Sequence, residues 1–298
     1  MSGNTLRAAR IVLTCFSAAI VSVQSIQASG QALSALDKTF WVLESASPSF
    51  NQFLLDSGDY NGDAISEVGV FRSSYGLWSV RNLTRAYFGS ASDFPVCGDY
   101  DGDGSTDLAL FRSSYGFWVV PNITRLYFGS SGDAPAPGDY NGDGTAEQAI
   151  FRSSSGLWSI QDLTRFYLGG SSDTAVPGYY GPGVAKSAGV FRPSSGLWVI
   201  RDLTRTFFGG SGDTPVGADF SGDGLTDFGI YRSYYGLWSV RNVTRVYFGG
   251  SSDQTVPADY NGAGGAEIAT FRPSAGLWAV RDLTRIYFGG LSDTPITK

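Results

Sequence analysis

Gly98-Asp99-Tyr100-Asp101-Gly102-Asp103-Gly104-Ser105-Thr106-Asp107, followed by Leu108-Ala109-Leu110-Phe111-Arg112, is the stretch from which the fold follows. Carboxylates stand at loop positions 1, 3, 5 and 9, and glycines at 4 and 6. Alternate residues of a tight loop can turn their side-chain oxygens inward, and the main-chain carbonyl of Ser105 adds another ligand. Gly104 lets the chain turn sharply without a Cβ penalty. A hard cation accepting six to eight oxygens in flexible geometry suits such a loop, so Ca²⁺ is expected before Mg²⁺. A bland alternative is an Asp/Asn/Gly-rich turn that only connects two strands.

The loop recurs every forty residues. The candidate ligands are Asp59, Asn61, Asp63, Ile65 and Glu67 in one copy and Asp99, Asp101, Asp103, Ser105 and Asp107 in the next. Further copies offer Asp139, Asn141, Asp143, Thr145 and Glu147, then Asp219, Ser221, Asp223, Leu225 and Asp227, the seventh position of each loop acting through its carbonyl. A weaker set remains at Asp259, Asn261 and Glu267, where Ala263 takes the fifth place. The copy at Tyr179 to Ser187 has no carboxylate, so the backbone module survives without one. Four loops with a full oxygen set predict about four calcium sites.

Composition narrows the classes. Of 298 residues 14% are aromatic, 16% are charged and 40 are periodic glycines, which argues for packed structure with regular turns. The formal charge of −6 argues against nucleic acid and anionic membranes as partners. Histidine is absent, which excludes Ser-His-Asp and Cys-His catalysis and argues against a zinc enzyme. Cys97 stands where sister repeats carry Pro137, Pro177, Gly217 and Pro257 and reads as a small packed residue.

Residues 1–28 read as a secretory signal peptide, with Arg7 and Arg10 before an apolar run at 11–23 and small residues at the exit. Anchoring as a lipoprotein at Cys15 is disfavoured by Thr14. Export to the extracellular space, the cell surface or the periplasm is expected, with no membrane insertion after cleavage. Residues 29–298 then form one domain, a monomer.

From residue 59 each unit holds four short runs rich in β-branched and aromatic residues, separated by turn chemistry and without helical periodicity. A four-stranded meander cannot bury its faces alone, and stacking copies radially gives a β-propeller. The expected class is all-β with seven blades. The C-terminal run after Asp293 (residues 294–298) and residues 31–58 would share the closing blade, and six blades is the alternative. Seven tryptophans (41, 78, 118, 158, 198, 238 and 278) support the count of seven and read as packing residues.

Entry residues such as Pro-Gly-Asp-Tyr, the Asn/Asp-Gly-Asp-Gly loop and Phe-Arg-Pro-Ser-Ser-Gly-Leu-Trp198 together resemble the FG-GAP/VCBS repeat family. Its calcium loops also occur in integrin α-subunits. The resemblance spans residues 59–298. It implies a seven-bladed propeller with the metal loops on one rim, used outside the cell for adhesion or for binding proteins or glycans.

Other repeated residues have simpler readings. Arg72, Arg112, Arg152, Arg192, Arg232 and Arg272, with Arg85 and its sister residues, are expected to pair with Asp93, Asp133, Asp173, Asp213, Asp253 and Asp293 or to stack on tryptophan. Asn82, Asn122 and Asn242 begin sequons, but sister copies carry Asp162, Asp202 and Asp282, so an Asx turn explains both. Tyr75, Tyr115, Tyr234 and Tyr235 vary between copies and are candidates for a ligand surface. No blade carries an extra acid pair suited to glycoside hydrolysis. The expectation is a non-catalytic binding or adhesion module for a protein or glycan. A calcium-stabilised scaffold is the second reading and a polysaccharide-active enzyme the least supported.

Overall fold

The computed structural model describes residues 58–297. The predicted signal peptide, Cys15, Trp41 and the N-terminal share of the closing blade lie outside these residues. Six four-stranded antiparallel sheets make up the described chain. The second blade shows the plan: inner strand Asp93–Pro95, then Leu110–Arg112, Phe117–Val120 and the outer strand Thr124–Tyr127. Three short 3₁₀ turns, such as Ser73–Tyr75, are the only helical elements among the described residues.

The described residues form six blades, not the expected seven. The C-terminal strand Asp293–Pro295 founds no new blade but pairs with Gly69–Arg72 and becomes the inner strand of the first. Each unit counted from residue 59 begins with the repeated loop, acidic in all but the copy at 179, and ends with the inner strand of the following blade. Six units thus supply six strands of every type once the last returns to the first. The seam copies the other blades. Tyr60 donates through its hydroxyl to the Ile296 carbonyl at 2.8 Å, as Tyr100 does to Val96 at 2.6 Å. Arg72 grips Asp293 at 2.6 and 2.8 Å, as Arg112 grips Asp93. Thr297 also accepts from the Gly69 N–H and donates to the Glu67 carbonyl.

Period-two alternation decides the packing. Phe71 and Trp78 face each other across paired strands, and their sheet face covers Leu110 and Val119 of the next blade. All six tryptophans in the described residues are fully buried. Each pairs with the ring opposite, at 4.4 Å between centroids for Phe71 and Trp78. Five of them donate Nε1–H to a carbonyl at the end of the outer strand, as Trp118 does to Phe128. This is packing between blades, as the fixed register of tryptophan predicts. Deleting one such ring costs about 3–5 kcal/mol.

The tight turn before each outer strand corrects one expectation. Asn82, Asn122, Asp162, Asp202, Asn242 and Asp282 all have φ between 55° and 65°. What Asn and Asp share there is tolerance of left-handed backbone, not the oxygen of an Asx turn.

Candidate metal loops and the opposite rim

In an antiparallel meander the loops alternate between the two ends of the blade. The acidic loops and the Asn/Asp turns therefore share one rim, and the Gly76-type turns occupy the other. At the acidic rim each loop is closed at its base by pairing of the two strands, as between Gly98 and Asp107. The first aspartate then organises the turn. Asp99 accepts from the Gly102 N–H at 2.7 Å and from the Gly104 N–H at 2.9 Å. Asp59, Asp139, Asp219 and Asp259 hold the same two positions of their own loops. Position six needs left-handed backbone: Gly104 has φ of 88°, and Ala64 takes 67° in the first loop despite its Cβ.

The ninth residue closes the loop from the other side. Asp107 accepts from the Tyr100 N–H at 2.9 Å, and Glu67, Glu147, Asp227 and Glu267 do the same from Tyr60, Tyr140, Phe220 and Tyr260. The loops also touch one another. The eighth residue of each donates its N–H to the first carbonyl of the preceding loop, as Thr106 does to Asp59 and Ala146 to Asp99, both at 2.6 Å. Ser66 bonds back to Asp259 at 2.7 Å, so six such bonds close a ring around the axis. Inside lies a cavity of about 530 Å³ lined by inner-strand residues such as Pro95, Pro135 and Pro295.

Three loops gather carboxylate oxygens within 4.8 Å of one another: Asp59 with Asp63 and Glu67, Asp99 with Asp101 and Asp107, and Asp139 with Asp143 and Glu147. Two ligands on one Ca²⁺ at 2.3–2.6 Å stand at most about 5 Å apart, so these spans fit the ion. Asp219, Asp223 and Asp227 keep the loop hydrogen bonds but do not form such a group. Asp103, Asp143 and Asp223 each accept the N–H of the seventh residue, at 2.8–2.9 Å. Asn61 and Asn141 turn Nδ2 toward the Glu67 and Glu147 carboxylates at 2.6 Å, where an amide turned over would offer Oδ1 to a cation. Asn261 makes the same contact with Glu267.

Crowding of these acids is visible in their protonation. Burial pushes Asp107 up to about 6, helped by the charges of Asp101, Asp99 and Asp103. Glu67, Glu147, Asp227, Glu267 and Asp99 are raised for the same first reason, loss of solvent, against the hydrogen bonds they accept. Asp103 is lowered by Ser105, and Asp143 by the Thr145 N–H. A bound cation would relieve the raised set.

Near this rim Cys97 is half-buried, and burial pushes its thiol up to about 11. It is therefore protonated at neutral pH and a poor nucleophile.

The opposite rim is built from arginine and aromatic rings. Arg72, Arg112, Arg152, Arg192, Arg232 and Arg272 each grip the predicted aspartate through Nε and a second nitrogen, and the aspartate side chains are at most 1% exposed. These six are structural. Arg85 and its counterparts on the outer strands do not join those pairs; Arg165 instead donates to Ser159 at 3.1 Å. Tyr75, Tyr115, Tyr234 and Tyr235 are 61–78% exposed, and the last two pack edge-on at 4.8 Å. A second aromatic series was not singled out in the sequence: Tyr87, Tyr127, Tyr167, Phe207, Tyr247 and Tyr287, all 68–76% exposed. The signal was the Thr-Arg-x-Tyr alternation of the last run, which on an outer strand turns arginine and tyrosine to one open face.

No family model matches this chain, and no curated protein matches it. The propeller shape by itself does not assign the chain to the FG-GAP/VCBS family.

Proposed function

We propose that this protein is a secreted, calcium-binding β-propeller that serves as a non-catalytic binding module for a protein or glycan. The carrying observation is the convergence of three carboxylates within 4.8 Å in each of three loops. Structural need does not explain this, because the loop at 179–187 closes with the same backbone pairing and no acid. The resemblance to FG-GAP/VCBS repeats supports the reading, as does the exposed aromatic rim. Calcium would join positions 1, 3, 5 and 9 of each loop and, through the ring of inter-loop hydrogen bonds, stiffen adjoining blades. Site saturation at a hundredfold excess over Kd adds about 2.7 kcal/mol per site. Thermal melting with and without a chelator tests this: calcium raises the midpoint by several degrees per site. Superimposable curves would refute it.

A further inference from the structure

The aromatic rim contains a shaped groove between the fifth and sixth blades, with a volume of about 460 Å³. That is within the usual range for small-ligand sites. One wall is Tyr247, from the outer strand of the fifth blade; the other is formed by Arg285 and Tyr287 of the sixth. Arg285 and Tyr287 are two apart on one strand and share a face. Behind Arg285 lies Ala279, and behind Ala279 lies Thr270, in one cross-strand row.

Two polar groups in this groove have no structural employment. Arg285 makes no ion pair or hydrogen bond with any described residue, whereas Arg272 beside it is held by Asp253 at 2.7 and 2.8 Å. Thr270 is 3% exposed overall, and its hydroxyl makes no hydrogen bond to a described residue but keeps contact with solvent at the groove. The other five blades place Val70, Leu110, Ile150, Val190 and Ile230 at that position, so the fold does not require a hydroxyl. Its place at the floor of the groove leaves the hydroxyl available to a ligand.

We propose that this groove binds a pyranose that carries a carboxylate, a hexuronate unit of an acidic glycan. The apolar face of the sugar stacks on Tyr287 and Tyr247. The Arg285 guanidinium receives the carboxylate through two parallel hydrogen bonds, and Thr270 takes a ring hydroxyl. The inference rests on the reading of the protein as a binding module, but not on calcium.

The test is titration of the intact protein, in calcium, with methyl glucuronide and with methyl glucoside, followed by ligand-observed NMR. Glucuronide binds saturably, and glucoside at least about tenfold more weakly, since a charge-assisted pair is lost. Arg285→Gln weakens glucuronide about tenfold or more, and Thr270→Val, which installs the residue of the first and fourth blades, about fivefold. Arg125→Gln, the sister position in the second blade, changes nothing. Equal binding of both sugars, equal effects of Arg285→Gln and Arg125→Gln, or no saturable binding would overturn the proposal. Calorimetric calcium titration of the same sample separates the two readings. Calcium bound without glucuronide refutes the groove alone, and neither bound refutes the metal loops as well.

Discussion

The loop at 99–107 and the loop at 179–187 occupy equivalent places in the ring, and only their side chains differ. Gly98 and Asp107 exchange backbone hydrogen bonds, and so do Gly178 and Ser187. Thr106 donates to the preceding loop, and so does Lys186, to Asp139 at 2.6 Å. In the acidic loop Asp99 must satisfy the N–H of Gly102. In the neutral one that place is Pro182, which has no N–H to satisfy. The neutral loop thus removes one of the two demands that the aspartate meets elsewhere. The frame is independent of charge, and the first and ninth acids have backbone work. The third and fifth positions lie at the solvent side, where the fifth acid accepts the N–H of the seventh residue and Asp101 only a longer bond from the Asp103 N–H at 3.2 Å.

The largest effect should come from the shared frame: Trp118→Ala in the acidic blade and Trp198→Ala in the neutral blade each cost about 3–5 kcal/mol. Denaturant melts should show both losses with calcium and in chelator. If only one blade responds, the frame is not shared.

Next comes the separation of the loop acids. Asp101→Ala should change stability in chelator by less than about 0.5 kcal/mol, yet lose about 2.7 kcal/mol at a hundredfold excess of calcium. Asp99→Ala should already cost about 1 kcal/mol in chelator, because the Gly102 and Gly104 N–H groups lose their acceptor. Equal losses for the two variants in chelator would remove the distinction.

Acid provides a third contrast. Asp107 and its counterparts bind protons more tightly in the folded loops than in the open chain. Through Asp107 the folded chain holds more protons between pH about 6 and 4, and the other raised acids act in the same direction, so the metal-free protein gains stability as pH falls through that window. Asp103 and Asp143, which are lowered, act the other way. With calcium the sign reverses, because protonation expels the ion. Chemical melts from pH 7 to 4 in chelator and in calcium should therefore slope oppositely for Asp107, and Asp107→Asn should flatten both.

The smallest effect is at Ala64, whose φ of 67° a Cβ disfavours. Ala64→Gly should stabilise by at most about 1 kcal/mol, since relief of strain is offset by a freer unfolded chain. A loss on this substitution would mean that the Cβ is packed.

The period of the loops and the alternation within each run were legible because both follow from local chemistry. So were the buried tryptophans and the Arg112–Asp93 type of pair, since one group per blade at a fixed register serves the sheet. The blade count was not. Trp41 suggested a seventh blade, but closure depends on which edge the run after Asp293 meets, a contact between residues 221 apart for Arg72 and Asp293. The groove was hidden for the same reason, since Tyr247 and Arg285 belong to different repeats. Its one local mark was Thr270 in a column of aliphatic residues.

We propose that the acidic loops hold calcium while the frame stands without it. Isothermal titration of calcium into the intact protein and into Asp101→Ala tests this directly. About four sites are expected, with the 219–227 loop drawn in by the ion, and one site fewer in the variant. An absence of binding heat, or identical stoichiometry in both proteins, would contradict it and leave the acids as turn residues alone.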